Sequence, residues 1–215
     1  QFLLKDKQTL EDSINKQTEI ELPFILGREH WGVTNKVNHP YVGENEWNKG
    51  TFVFKGQQYS AENLKYDVDT DKLIYLSYSS DFQMNCIALD QNFVSEFSIQ
   101  NATFRYFDNL VTQRGVNLRK GYYEVVYDGK LKFLSRKVKS KSFDDNSLYL
   151  NYKLSTDLFL IKDGKLIRVK SMAKLIAQLS DKKKELKKYV RDNYLKLNLT
   201  DYSSAAKVLK FYEGL

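Results

Sequence analysis

The stretch LKYDVDTDKLIYL, residues 64–76, joins two runs of aliphatic and aromatic residues through a polar centre. Its aspartates stand at alternate positions: Asp67, Asp69 and Asp71. A calcium-binding EF-hand loop that began at the first of them would need a glycine at its sixth position and a bidentate glutamate at its twelfth. The chain has Lys72 and Tyr78 there, and both flanks are rich in strand-forming residues. We therefore predict a β-hairpin whose aspartates hydrogen-bond the turn backbone, without a bound calcium ion.

Three dipeptides mark further hairpins along the chain: Lys55-Gly56, Asp128-Gly129 and Asp163-Gly164. Each lies between two strand-like runs, and the glycine accepts the positive φ that a type I′ turn requires. Four more strand-like runs occur at residues 86–89, 93–99, 102–107 and 148–154. Short connections between consecutive strands predict an antiparallel meander, which can stay open or curl into a partly closed barrel. The aromatic content of 14% agrees with a strand-rich fold.

A helical period begins near Ser171. Four apolar residues then follow the i, i+3, i+4, i+7 spacing of one helix face: Met172, Leu175, Ile176 and Leu179. Ser180 or Asp181 can cap a second helix, and Thr200 or Asp201 can cap a third. We predict an α+β fold in which the helices are segregated at the C-terminal end.

The whole chain, 1–215, is expected to form a single domain with three parts. Residues 1–50 make an N-terminal arm and a long loop, residues 51–170 make the antiparallel β body, and residues 171–215 make the C-terminal helices. No stretch reaches the roughly 18 consecutive apolar residues of a transmembrane helix. We therefore expect no membrane-spanning segment.

The segment from Gly27 to Gly50 concentrates rare side chains on a predicted loop. It holds both histidines and both tryptophans of the chain: His30, Trp31, His39 and Trp47. Together with Tyr41 they form our candidate ligand-binding site, because large aromatic rings on a loop offer contact area at a low cost in entropy. The alternative is that the tryptophans pack the loop onto the sheet.

The net charge of +7 is concentrated in two segments. Residues 119–141 contain eight basic residues and two acidic ones, and residues 162–215 contain 14 and six. In the second segment four cationic residues share one face of a predicted helix: Lys184, Lys187, Lys188 and Arg191. They are our candidate polyanion-binding residues, although the pattern favours an ordinary solvated face. No base-stacking motif accompanies them, so nucleic acid is not the expected partner.

Catalytic chemistry has few candidates in this sequence. The two histidines lie in no hydrolase motif, and Cys86, between apolar neighbours, is interpreted as a small buried hydrophobe. The ten glycines are scattered as turn formers and make no phosphate-binding loop. We therefore expect no catalytic residue, no metal and no cofactor. A hydrolase built on two carboxylates stays open as an alternative, because it needs no signature sequence.

Three stretches combine a strand pair, a Gly-Tyr-Tyr hairpin and a lysine-rich helical end: GTFVFKGQQYSAENLKYDVDTDKLIYL (50–76), KGYYEVVYDGKLKFLSRK (120–137) and KKKELKKYVRDNYLKLNLTDYSSAAKVLKFYEGL (182–215). Together they resemble a family of uncharacterised exported proteins of Bacteroidetes. The resemblance implies a periplasmic or outer-membrane-associated location after removal of a signal peptide, and it brings no catalytic residues. The chain begins at Gln1, which we also expect of a sequence that has lost a leader. We expect a non-enzymatic cell-envelope protein that binds a ligand or a partner.

Overall fold

The computed structural model describes residues 28–30, 37–78, 83–112, 115, 117–143 and 149–215. Within these residues the chain forms 11 strands in one sheet, followed by three α-helices. The strands are β1 (Arg28–Glu29), β2 (Asn48–Phe54), β3 (Gln57–Asp67), β4 (Lys72–Tyr78), β5 (Met84–Ala88), β6 (Val94–Ile99), β7 (Ala102–Phe107), β8 (Gly121–Asp128), β9 (Lys132–Phe143), β10 (Leu150–Lys162) and β11 (Lys165–Arg168). The helices are α1 (Met172–Gln178), α2 (Lys183–Asp192) and α3 (Ser203–Glu213). No helix in the described ranges is long and apolar enough to span a membrane.

The strands lie in the order β1-β5-β4-β3-β2-β6-β7-β8-β9-β10-β11. All neighbours pair in antiparallel fashion, which confirms the predicted antiparallel sheet. Strands β2 to β5 form one meander and β6 to β11 form a second, and β6 pairs with the free side of β2. The sheet stays open between its edge strands β1 and β11, so among the described strands the barrel alternative is not realised.

Two of the three dipeptide turns have the predicted geometry. Lys55 and Gly56 have φ values of 49° and 82°, and Asp163 and Gly164 have values of 52° and 68°. Positive φ at both central positions is the type I′ arrangement, whose twist matches that of the flanking strands. The sequence pattern therefore sets the register of the β2–β3 and β10–β11 hairpins.

The third dipeptide turn differs from the prediction. Asp128 is the last residue of β8, and residues 129–131 form the connection to β9. A Cβ atom on Gly129 would overlap the Glu213 carboxylate at the end of α3. Glycine leaves room here for the contact between the Glu213 and Tyr127 side chains, which a local turn pattern does not reveal.

The buried apolar side chains form two main clusters along the sheet. The first lies on β2 to β8 and is largely aromatic, with the Phe97 and Phe104 rings stacked at 5.0 Å between centroids. The second joins β9 to β11 with the three helices, through Phe133, Leu160, Leu186 and other buried side chains. The predicted helix face is confirmed, because Leu175 and Leu179 are fully buried and Ser171 caps α1 by accepting from the Lys174 N–H. The helices therefore cover the β8–β11 end of the body.

Candidate functional site

The loop before β2 is fixed to the sheet by a lysine. The ammonium of Lys65 on β3 lies 4.7 Å from the centroid of the Tyr41 ring and 4.5 Å from that of Trp47. It also donates to Asn45 Oδ1 at 2.8 Å. Cation–π contacts of this kind are strongest where the cation is desolvated, and Lys65 is only 8% exposed. Tyr41 and Trp47, two of the candidate ligand-binding residues, thus help to hold the loop on the sheet, which for Trp47 agrees with the alternative that the tryptophans pack the loop.

The two histidines lie in the same neighbourhood. His30 Nε2 is 3.9 Å from Asp67 Oδ2, and the His39 ring stacks on Tyr41 at 5.9 Å between centroids. Tyr41 itself bridges to the backbone of Asp67, and burial, followed by the charge of Asp67, raises the pKa of its hydroxyl. The structure therefore brings four of the five candidate residues together. The fifth, Trp31, lies outside the described residues.

Cys86 stands opposite His30 in the pairing of β5 with β1, because the His30 N–H donates to the Cys86 carbonyl at 2.7 Å. The cysteine is half-buried, not fully buried as interpreted from its neighbours. Burial raises the pKa of its thiol. An activated nucleophile needs a lowered pKa, so this pair lacks the electrostatic setting of a cysteine catalyst.

The three aspartates of the β3–β4 turn have separate partners. Asp67 Oδ1 accepts from the backbone N–H of Asp69 and of Thr70 at 2.9 and 3.0 Å, which is the predicted turn bonding. Asp69 instead pairs with Lys141 at 2.6 Å, and Asp71 with Arg136 at 2.9 Å. No group of three or more His, Cys, Asp or Glu side chains in the described ranges is arranged to hold a metal ion.

A cleft of about 850 Å³ lies beside β10. Its floor is the sheet face formed by alternate residues of β9 and β10, because Lys139 pairs with Leu154 and Lys137 with Thr156 in the register. One wall is the loop Val42–Glu44, and the other is the segment 199–202 before α3. The predicted binding loop therefore contributes to this cleft through residues that the sequence did not single out.

Cationic side chains dominate the lining of the cleft: Lys137, Lys139, Lys153, Arg168 and Lys170. The acidic lining residues are Glu44 and Asp157, and the carboxylate of Asp157 is bound by Arg168. Lys153, Arg168 and Lys170 are exposed along the rim. An anionic group that entered the cleft would therefore meet a surplus of positive charge at partly desolvated positions.

The two floor lysines are held by different contacts. Lys137 pairs with Glu124 at 2.8 Å. Burial opposes the charge of Lys137, but its interactions with Glu124 and Tyr202 together outweigh burial and raise its pKa. Lys139 donates to the carbonyl oxygens of His39 and Tyr41 at 2.8 and 2.6 Å. Burial lowers the pKa of Lys139. This lysine therefore links the candidate loop to the floor of the cleft.

The sequence of β9 carries a signal of the cleft. Lysines alternate along β9 at positions 137, 139 and 141, inside the basic segment 119–141. Side chains at alternate positions of a strand share one face, so this spacing indicates a cationic sheet face. The contributions of Lys153 and Lys170 depend on strand pairing and on where β11 ends, which the sequence pattern does not give.

The candidate polyanion-binding residues lie elsewhere. Lys184, Lys187, Lys188 and Arg191 are exposed on α2, and Leu186 on the opposite side of that helix is fully buried. The amphipathic helix is confirmed, and its exposed cations agree with a solvated face. None of the four lines the cleft, so polyanion binding by α2 stays a prediction of its own.

Comparisons with protein-family models, curated proteins and solved structures found no match to this chain.

Proposed function

We propose that the protein is a non-enzymatic binding module of the cell envelope that holds an anionic partner in the cleft beside β10. The envelope location rests on the resemblance of the sequence to exported proteins. The observation that carries the binding role is the lining of the cleft, where five cationic side chains face two acidic ones. Three of those cations stand exposed on the rim, where they can attract an anion before it is desolvated.

The floor of the cleft supports binding rather than catalysis. The ammonium of Lys139 is already engaged by two backbone carbonyls, and the carboxylate of Asp157 is engaged by Arg168. A carboxylate-based hydrolase needs an acid and a base that converge on one bond. Of the two acidic residues that line the cleft, Asp157 is paired with Arg168, so among the described residues only Glu44 on the loop wall has a carboxylate outside an ion pair. The hydrolase is therefore the less supported alternative.

The proposal is tested by removing equal amounts of charge from the cleft and from α2. The double variant Lys153→Gln/Lys170→Gln changes two exposed rim residues, and the control Lys187→Gln/Lys188→Gln changes two exposed helix residues. Dextran sulfate serves as the anionic probe, and its affinity is measured by isothermal titration at low and high salt. Each rim charge contributes up to about 1 kcal/mol, so we expect the cleft variant to bind about three- to tenfold more weakly.

The control variant should bind the probe as the unmodified protein does, and the difference should shrink at high salt because surface charges are screened. Equal losses in both variants would show that the probe responds only to net charge. A loss confined to the α2 variant would move the polyanion site to the helix. Either result would contradict the cleft proposal.

A further inference from the structure

The outer edge of β10 is covered at both ends and open between them. On one side β10 pairs with β9 along its whole length, but on the other side β11 covers only Phe159–Lys162. At the opposite end the Asn38 side chain acts like a strand neighbour. It accepts from the Tyr152 N–H at 2.7 Å and donates to the Tyr152 carbonyl at 2.8 Å. The chain after β11 leaves the sheet to enter α1, so nothing in β11 continues along this edge.

The backbone groups between these two ends point into the cleft. In an antiparallel strand the N–H and C=O of alternate residues face the same neighbour. Tyr152 faces outward to Asn38, and the Leu158 carbonyl faces outward to accept from the Val169 N–H at 2.8 Å. Leu154 and Thr156, which lie between, must face outward as well. Among the described residues no backbone hydrogen bond reaches either of them from this side.

The open edge has the length of a short peptide strand. From Tyr152 to Leu158 the strand extends about 20 Å at the usual rise per residue. Both Leu154 and Thr156 line the cleft, and Leu154 is 51% exposed. Two outward residues offer two donors and two acceptors, which is the set that a strand of about five residues would use.

The charges around this edge select the kind of peptide. Lys153 lies on the edge itself, and Arg168 and Lys170 lie where β11 ends. A second copy of this chain, with its net charge of +7, would be repelled by such a rim. An acidic peptide would be attracted to it, since carboxylates and cations in a partly desolvated groove form charge-assisted hydrogen bonds.

We propose that the partner of the cleft is an extended acidic peptide segment that adds to β10 as an extra strand, with its backbone paired to Leu154 and Thr156. This inference rests on the proposed anion-binding function of the same cleft. Strand addition supplies affinity through main-chain hydrogen bonds, and the flanking side chains supply specificity. The cationic rim sets the requirement for acidic residues.

The test uses the full chain and a capped heptapeptide of alternating Glu and Val. Two further versions carry N-methyl groups: one version on three Val nitrogens and the other on three Glu nitrogens, so the number of methyl groups and the charge are the same in both. In a paired strand only one alternating set of N–H groups faces β10. We expect one methylated peptide to lose at least about tenfold in affinity and the other to bind nearly as the parent does.

A second measurement reports on the protein side of the pairing. The amide protons of Leu154 and Thr156 should exchange more slowly with the peptide bound, whereas those of Lys153 and Ser155, which face β9, should not change. Leu154→Pro should abolish peptide binding because proline has no N–H. Leu154→Ala keeps the N–H and should retain it.

The outcomes separate this inference from the proposed function. Equal binding of both methylated peptides, or unchanged exchange at Leu154 and Thr156, would overturn strand addition. If dextran sulfate binding depends on the rim lysines while no peptide binds, the anion-binding cleft stands and the acidic-peptide partner is wrong. If the rim lysines affect neither probe, both proposals are wrong.

Discussion

Arg136 donates from Nη2 to Asp71 Oδ2 over 2.9 Å, and this pair joins β9 to the turn between β3 and β4. Four strands lie between β3 and β9 in the sheet, so the contact exists only because the sheet curls until its two arms meet. The Tyr66 hydroxyl donates to the same carboxylate at 2.5 Å, and burial, followed by the charge of Asp71, raises the pKa of this tyrosine. All three side chains are buried. Buried side chains therefore join the arms, in addition to the backbone hydrogen bonds that residues 37–42 make with Tyr66, Val68 and Leu150.

Replacing Asp71 by Asn should destabilise the protein by about 3 kcal/mol, because it leaves the buried Arg136 guanidinium without its counter-charge. Asparagine is the suitable replacement because Asp71 has a φ of 61°, which Asn tolerates. Urea unfolding gives the free energy. The matched control is Asp69→Asn, which loses a more exposed pair with Lys141 and should cost less than about 1 kcal/mol. Equal costs for the two variants would show that the buried pair does not hold the arms.

Glu213 should contribute a pH-dependent stabilisation at the C-terminal end. Its carboxylate accepts from the Leu131 N–H at 2.7 Å and from the Tyr127 hydroxyl at 2.8 Å. Burial opposes the charge of Glu213, but these donors outweigh it and lower the pKa below the ordinary 4.5. Stability from a lowered carboxyl pKa is fully present above pH 4.5 and is lost as the pH falls through the folded-state value.

Glu213→Gln should therefore cost about 1 kcal/mol at neutral pH, a value discounted for the exposure of the site. At a pH below the folded-state pKa of Glu213 the difference from the unmodified protein should be smaller, because Glu213 then becomes protonated. Unfolding free energies at both pH values provide the measurement, with the exposed Glu185→Gln on α2 as the control. A difference that grows on acidification would have the wrong sign for this contact.

Trp47 should behave as a structural residue of the loop. Trp47→Ala removes a half-buried ring and its contact with Lys65, and we expect a loss of about 2 kcal/mol. Tyr194→Ala is the comparison, because Tyr194 is 89% exposed and should change stability by less than about 0.5 kcal/mol. If Trp47→Ala proves equally harmless, the ring is available for ligand contact, and this result would favour the predicted ligand-binding role of the loop.

Calcium should not stabilise the β3–β4 turn. Asp67 bonds the turn backbone, while Asp69 and Asp71 pair with separate cations, so the three carboxylates are already neutralised or hydrogen-bonded. Thermal unfolding with and without millimolar calcium should give the same Tm. A site with a micromolar Kd would raise the stability by about 4 kcal/mol at that concentration, which a thermal scan would detect.

Local patterns predict much of this fold, and distant contacts explain the rest. The Asp163-Gly164 turn and the face of α1 follow from residues close together in the chain, and both are as predicted. The pairing of β6 with β2 does not follow from neighbouring residues, because pairing between strands far apart in the chain leaves no local signature. The Asp71–Arg136 pair spans 65 positions, so the sequence shows a turn aspartate but not its buried partner.

The sequence likewise predicts only part of the candidate site. Tyr41 and Trp47 were identified by residue type, but their contact with Lys65 depends on the position of that lysine on β3, next to the loop. The lysines of β9 occupy alternate positions in the sequence, which indicates that they share one face of the strand. The open edge at Leu154 arises only because β11 is shorter than β10, and neither length could be fixed from the sequence.

The strand order also bears on how fast the protein folds and unfolds. Every pairing except β1 with β5 and β2 with β6 joins strands that follow one another in the chain, so most of the sheet can form by closing short loops at a low entropic cost. The contact between Asp71 and Arg136 spans far more chain and is expected to form after the transition state. Its loss should then leave the folding rate nearly unchanged and accelerate unfolding. The pair would thus act mainly on the lifetime of the folded protein, the quantity that sets its resistance to irreversible inactivation.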